Sequence, residues 1–166
     1  MTAPQVPGTA SAGEGGDRFW SKVLKGPGPD DHWLFLGAVA DDGYGRYFLL
    51  VNGRHTSVRP HRYAYEEATG NPLDPGTVLR HVCNIPICVR PEPGHLIAGT
   101  QRQNMLDRVF DGRHANGATW RWRGIGRTEF AARSRALRDA ALEHGWAPKI
   151  LQPLMSGRDP DAPTLF

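Results

Sequence analysis

The sequence predicts an α+β fold: a small antiparallel sheet, a metal-stapled loop and a helical, basic C-terminal extension. Three observations carry this. Short apolar runs separated by turn residues fill positions 33–58 and read as strands. Cys83, Cys88 and two flanking histidines crowd into positions 81–95, where they offer metal-type ligands. Helical patterns with N-terminal signals follow at Thr100 and Thr128.

Taken in order, residues 1–16 are small and polar with little to bury and read as a disordered tail. Asp17 is placed to cap a short helix carrying Phe19, Trp20, Val23 and Leu24, which stops at Gly-Pro-Gly-Pro. His32 opens the first strand, WLFLGAV, and a turn at Asp41-Asp42-Gly43 leads into YGRYFLLV. Asn52-Gly53 then signals a hairpin before RHTSV. Positions 61–68 read as a helix ended by Gly70 and Pro72, with Tyr63 and Tyr65 either core, stacking or surface residues, and 77–82 as a short strand.

Thr100 with Gln103 three residues on forms a capping box, so the next helix begins there. Met105, Leu106, Val109 and Phe110 form its expected apolar face and Gly112 its stop, while Asn104 and Arg108 share a polar face. A further helix spans 128–144, capped by Thr128, with Phe130, Leu137 and Ala141 along one side, and 147–155 adds a last short one. The chain thus divides into a tail (1–16), a compact domain (17–113), a basic helical extension (114–157) and a flexible tail (158–166).

The 166 residues are 39% hydrophobic and 22% charged, ordinary for a soluble domain, with a net charge of +3 and a pI near 9.1. Arginines recur from Arg102 to Arg138 against only Asp107, Asp111, Glu129 and Asp139, an electrostatic footprint suited to nucleic acid. No apolar run is long enough to span a membrane, and the N-terminus lacks the basic and apolar regions of a signal peptide. The expectation is a cytoplasmic protein.

Two close cysteines without a secretory context read as metal ligands rather than a disulfide. Cys83 and Cys88 enclose four residues including Pro86, a spacing that lets a turn return one sulfur to the other. His95 follows after Pro-Glu-Pro-Gly. Thiolate and imidazole are preferred ligands of structural zinc, which takes four of them tetrahedrally. His32 is the candidate for the fourth, with His55, His61 or a water as alternatives. His81 lies two residues from Cys83 and on a regular strand would face the same side. It is therefore either a zinc ligand itself or, if the strand breaks near Val82, free for other chemistry.

His-x-Cys-x4-Cys, then Pro, His-Leu, Gly-Thr and an Asn on a helix resembles the HNH (ββα-metal, His-Me finger) endonucleases of phages and mobile elements, and the zinc-bearing His-Cys box homing endonucleases. HWLFLGAVADDGYGRY and PHRYAYE resemble the family's upstream segments in the same order, so the likeness covers about positions 30–113. It implies a zinc-stapled ββα-metal motif. His81 would be the general base, Asn104 the ligand of a catalytic Mg²⁺ or similar ion, and Cys83, Cys88 and His95 structural Zn²⁺ ligands. Where His32 stands these proteins usually carry Cys, and where Arg90 stands, Asn. An arginine should contact the scissile phosphate, with Arg62, Arg59 and Arg46 as candidates in that order.

The resemblance implies a metal-dependent phosphodiester hydrolase acting on double-stranded DNA. Neutral histidine suits proton abstraction near pH 7, and Mg²⁺ suits hard oxygen donors and phosphate. Trp120-Arg121-Trp122-Arg123 and Arg127 mix stacking and phosphate-binding groups, so 114–157 is expected to be a DNA-binding arm, joined by Arg46, Arg59 and Arg108. A paired cut would require a symmetric homodimer. The C-terminal Pro-Thr-Leu-Phe faintly resembles a sliding-clamp-binding peptide without its leading Gln. The competing readings are a non-catalytic, zinc-stabilised DNA-binding module and an RNA-directed nuclease.

Overall fold

A computed structural model describes residues 14–110 and 126–156, with no side-chain description at 14, 15, 108 and 110. In chain order its elements are α1 (Glu14–Trp20), β1 (Val23–Lys25), β2 (Trp33–Phe35), β3 (Ala38–Val39), β4 (Gly45–Val51), β5 (Arg54–Val58), α2 (Pro60–Thr69), β6 (Val78–His81), β7 (Leu96–Gly99), α3 (Gln101–Phe110), α4 (Arg127–His144) and α5 (Pro148–Ser156). The fold is α+β, with every strand pair antiparallel.

The expected single sheet is divided. β1 pairs with β2, β3–β4–β5 form a three-stranded sheet, and β6 pairs with β7. WLFLGAV, read as one strand, breaks between β2 and β3 at Gly37, whose backbone lies against the Phe35 ring; a Cβ there would come 2.4 Å from Phe35 Cζ. Val23 and Leu24, expected on the first helix, instead form β1, paired with Phe35 and Leu34. That helix also starts earlier than expected, at Glu14, so Asp17 is interior to it and residues 14–16 are not tail. The hairpin signal holds: Asn52 and Gly53 both take positive φ, the geometry of the tight turn that matches strand twist.

Two adjoining cores form. Phe19, Phe35, Tyr47, Ala64 and Val89 are buried together, with Tyr63 packed against them, which assigns Tyr63 to the interior. The other cluster joins Leu34, Ile85, Ile87 and Cys88 to Leu137, Ala141 and Leu151 of α4 and α5. Burying a side chain of the Leu or Ile size contributes about 1.5–3 kcal/mol, so the described part of the C-terminal extension is fastened to the 83–88 loop and is no detached arm. Its inner face is the one the sequence marked, Leu137 and Ala141. Thr128 does not cap α4; the helix begins at Arg127 after an extended Gly126.

On α3 the capping box forms as expected. Gln103 N donates to Thr100 Oγ1 at 3.2 Å, and Thr100 N donates to Gln103 Oε1 at 2.8 Å. Three of its expected apolar residues stay outside the cores: Met105, Leu106 and Val109 are each about half exposed (51%, 54% and 52%). The capping box and the polar contacts described below hold α3 instead. No helix among the described residues is long and apolar enough to cross a membrane.

Candidate metal centre and adjoining cleft

The 83–95 loop is built around β2. Phe35 N donates to Ile87 O and Val89 N to Trp33 O, both at 2.8 Å, and Leu34 bridges to Cys88. This pairing carries His32, one residue before β2, to the cysteines. One ligand atom from each of His32, Cys83, Cys88 and His95 lies within 4.8 Å of the others. Cys88 Sγ is 3.6 Å from His95 Nδ1, which is 3.1 Å from His32 Nδ1. Ligands on a tetrahedral zinc stand about 3.3–3.8 Å apart, as follows from metal–ligand bonds of about 2.0–2.3 Å. The four residues can hold a metal ion, and their donors and spacing are compatible with zinc. His55 and His61, the alternative ligands, lie outside the cluster.

The cluster's electrostatics suit a cation. Burial pushes the Cys88 thiol up, but hydrogen bonds from Cys83, His32 and His95 outweigh it and hold Cys88 well below the ordinary thiol range. The same bond to Cys88, together with burial, pushes Cys83 up. Cys88 is thus the more acidic of the two sulfurs that share this bond, and a bound cation would displace the proton between them.

Arg90 supports this arrangement from behind. It is buried, donates to Asp31 O at 2.7 Å and to Pro29 O, pairs with Glu92 at 2.5 Å and lies over the Trp33 ring. It thus ties the loop that ends at His32 to the loop that ends at His95. Removing such supporting contacts typically costs 10–100-fold in metal affinity. Arg90→Ala is expected to weaken zinc binding by about that much, measured by competition with a chromophoric chelator; unchanged affinity would refute this role.

His81 is the last residue of β6, and the strand does break after it. Val82 N donates to His95 O, Asn84 N donates to His81 O at 3.1 Å, and Asn84 has φ of 61°. The turn sends Cys83 to the metal cluster and His81 to the opposite side, beside Tyr44 and His61 at ring separations of 5.6 and 4.8 Å. His81 Nε2 sits 2.9 Å from Cys88 O. A carbonyl can only accept, so the proton is on Nε2 and the basic lone pair of the neutral ring on Nδ1.

A cleft of about 310 Å³ opens here, lined by Asp42, Tyr44, Arg59, His61, Arg62, Arg80, His81, Asn104 and Asp107, together with residues 77–79. Asn104 projects from the first turn of α3, Arg62 from α2 and His81 from β6, so three expected site residues share one wall-to-wall space. Arg59 is paired with Asp42 at 2.5 Å, and its guanidinium holds the Asp42 carboxyl below its ordinary range. Arg62 instead donates to Thr77 O at 2.7 Å, a backbone carbonyl, so this contact leaves its charge uncompensated. Burial first, then the neighbouring His81, Arg59 and Arg62, pushes His61 well below the usual histidine range.

Arg46 does not join the cleft; it lies exposed on β4. Arg127 is exposed and paired with Asp41 at 2.9 Å. Arg121, Arg123 and the C-terminal peptide lie outside the described residues, as does the side chain of Arg108. Sequence reasoning did not place Tyr44, His61, Arg80, Asp42 or Asp107 at this cleft. Arg80 and Asp107 carried a faint signal, standing one residue before His81 and one helical turn after Asn104.

Two curated proteins of Escherichia phage T7 resemble this chain. "Protein 7.7" is 43% identical over 83 residues, half of this chain and 58% of that protein. "Protein 2.8" is 31% identical over 85 residues, 51% of this chain and 54% of that protein. The chain thus spans a little over half the length of each. No family model matches the sequence, and no solved structure matches it.

Proposed function

We propose that this protein is an HNH-type, metal-dependent DNA endonuclease with a structural zinc at His32, Cys83, Cys88 and His95, in which β6, β7 and α3 form the ββα-metal motif. The observation that carries the reading is the turn at 82–84. It separates His81 from the metal cluster and leaves it on one cleft with Asn104 and the carbonyl-held Arg62. A zinc-binding module alone has no need of that grouping.

In the proposed reaction His81 Nδ1 accepts a proton from a water as the water oxygen attacks phosphorus. The bond from phosphorus to the 3′ oxygen then breaks, and that oxygen takes a proton from solvent. The Cys88 carbonyl, accepting from Nε2, orients the ring and is well placed to stabilise the imidazolium that forms. Arg62 is the candidate for a phosphate contact. Asn104 offers an amide oxygen, and Mg²⁺ bound there would offset charge developing on the leaving oxygen. The amide oxygen of Asn104, in a cleft lined by no sulfur donor, fits such a hard ion.

Double-stranded DNA is the proposed substrate, with exposed Arg46 and Arg127 outside the cleft as further phosphate contacts. The zinc-loaded protein should convert supercoiled plasmid to nicked or linear product only when Mg²⁺ is added. Binding to DNA should weaken steeply with salt, as phosphate contacts require. Salt-sensitive binding with no cleavage under any divalent ion would leave the non-catalytic binding module instead.

A further inference from the structure

Arg80 and Asp107 join the two elements that carry His81 and Asn104. Arg80 is the neighbour of His81 on β6, and Asp107 lies one turn after Asn104 on α3. Arg80 Nη1 stands 2.6 Å from Asp107 Oδ2, and only 14% of the Arg80 side chain is exposed. The guanidinium lies across Gly99, the last residue of β7. A Cβ on Gly99 would come 2.8 Å from Arg80 Nε and 2.6 Å from Gln103 Oε1. The absence of a side chain at Gly99 thus makes the seat in which the pair sits.

This contact matters because few other described side chains hold α3. Among its described side chains Met105, Leu106 and Val109 are half exposed, and the capping box fixes only where the helix starts, not how it leans on β6. An Arg–carboxylate pair is short and directional, and removing one partner of a partly buried pair costs more than at an exposed site.

We propose that Arg80 and Asp107, seated on Gly99, form a positioning pair that locks α3 against β6 and so sets Asn104 relative to His81 across the cleft. This rests on the nuclease reading only for the use to which Asn104 is put. The pair does not touch the reacting atoms. Its task is to hold the amide oxygen of Asn104 where a hard divalent cation can use it.

Mn²⁺ is the probe, titrated into the full chain and followed by the electron paramagnetic resonance of the free ion. The zinc-loaded His81→Ala protein serves as parent, so that no cleavage intervenes. Arg80→Gln is expected to weaken Mn²⁺ binding about tenfold, by analogy with other outer-sphere supports of metal ligands, while keeping its full zinc content. Gly99→Ala, which keeps both charges but fills the seat, is expected to do the same.

Unchanged Mn²⁺ affinity in both variants overturns the proposal. Tighter binding in Arg80→Gln also overturns it, since that result would make Asp107, released from its partner, a metal ligand in its own right. Loss of zinc in parallel with Mn²⁺ in both variants would reduce the pair to a general stabiliser and overturn it too. Wild-type protein that cuts no DNA, yet gives the expected Mn²⁺ shifts, would keep the positioning pair and lose the nuclease. A wild type that cuts DNA without those shifts would lose the pair alone, and a parent that binds no Mn²⁺ beside a wild type that cuts no DNA would remove both.

Discussion

Cys83→Ser is expected to release the zinc and unfold the 83–95 loop together with the helices packed on it. The loop's backbone is pinned to β2 by two hydrogen bonds, but its side chains have two other jobs. Cys88 faces the metal cluster from within the core cluster that also contains Leu34, Ile85 and Ile87. Leu137, Ala141 and Leu151 of α4 and α5 close over the same group. Structural zinc supplies on the order of 10 kcal/mol of apparent folding energy in small metal-dependent domains. That is comparable with the whole stability of an ordinary domain, about 5–15 kcal/mol.

Serine keeps the shape of the side chain but is a poor zinc ligand. Its effect should therefore appear as lost metal, a strongly lowered melting temperature and loss of α4 and α5 helicity in the same transition. Chelation of wild type should reproduce it. A Cys83→Ser protein that retains a full equivalent of zinc and melts like wild type would remove the staple.

His81→Ala is expected to behave in the opposite way. The His81 ring meets the 83–88 turn at the Cys88 carbonyl, which keeps its place there through Cys88 N to Ile85 O. The mutation should leave zinc content and DNA affinity near wild type. A positioned general base contributes about 10²–10⁴-fold to rate, so cleavage should fall by that factor. His61→Ala is a useful contrast, because His61 is nine-tenths buried against the same cleft and pushed well below the usual histidine range, and its loss should disturb packing as well as rate. Loss of zinc from His81→Ala would show that this histidine serves the metal centre.

Much of the site was legible in the sequence because ligand chemistry is local. Cys83, Cys88 and His95 come from one loop with a spacing that zinc favours, and His32 could be nominated as the histidine at the mouth of the first strand. The one ambiguity that mattered, whether His81 and Cys83 face together, depends on the chain leaving strand geometry directly after His81, in a turn that Asn84 closes. Asn84 adopts the left-handed conformation that asparagine tolerates better than most residues. Asn104 was placed by the capping box, a signal contained within four residues.

Less legible were features decided by packing at a distance. Nothing local says that WLFLGAV breaks at Gly37, or that Val23 and Leu24 pair as a strand with Phe35 and Leu34. The apolar spacing of Met105, Leu106 and Val109 suggested a buried face, but a periodic pattern cannot say whether a partner surface exists. The reverse error befell the C-terminal helices. Their arginines drew attention to the solvent side, while Leu137, Ala141 and Leu151 fasten the other side to the metal loop. Arg90 was noted only as a substitution; its grip on the loops around His32 and His95 needs coordinates to be seen.

The central claim is that the cleft holding His81, Asn104 and Arg62 cuts DNA. Its most direct test is the cleavage of supercoiled plasmid by zinc-loaded protein, wild type beside His81→Ala, at equal zinc content and equal DNA occupancy. Nicked or linear product should appear with wild type and Mg²⁺, stop on removal of Mg²⁺ while zinc is retained, and fall at least a hundredfold in the variant. Equal cleavage by both proteins, or none by wild type with Mg²⁺ or Mn²⁺, would contradict it.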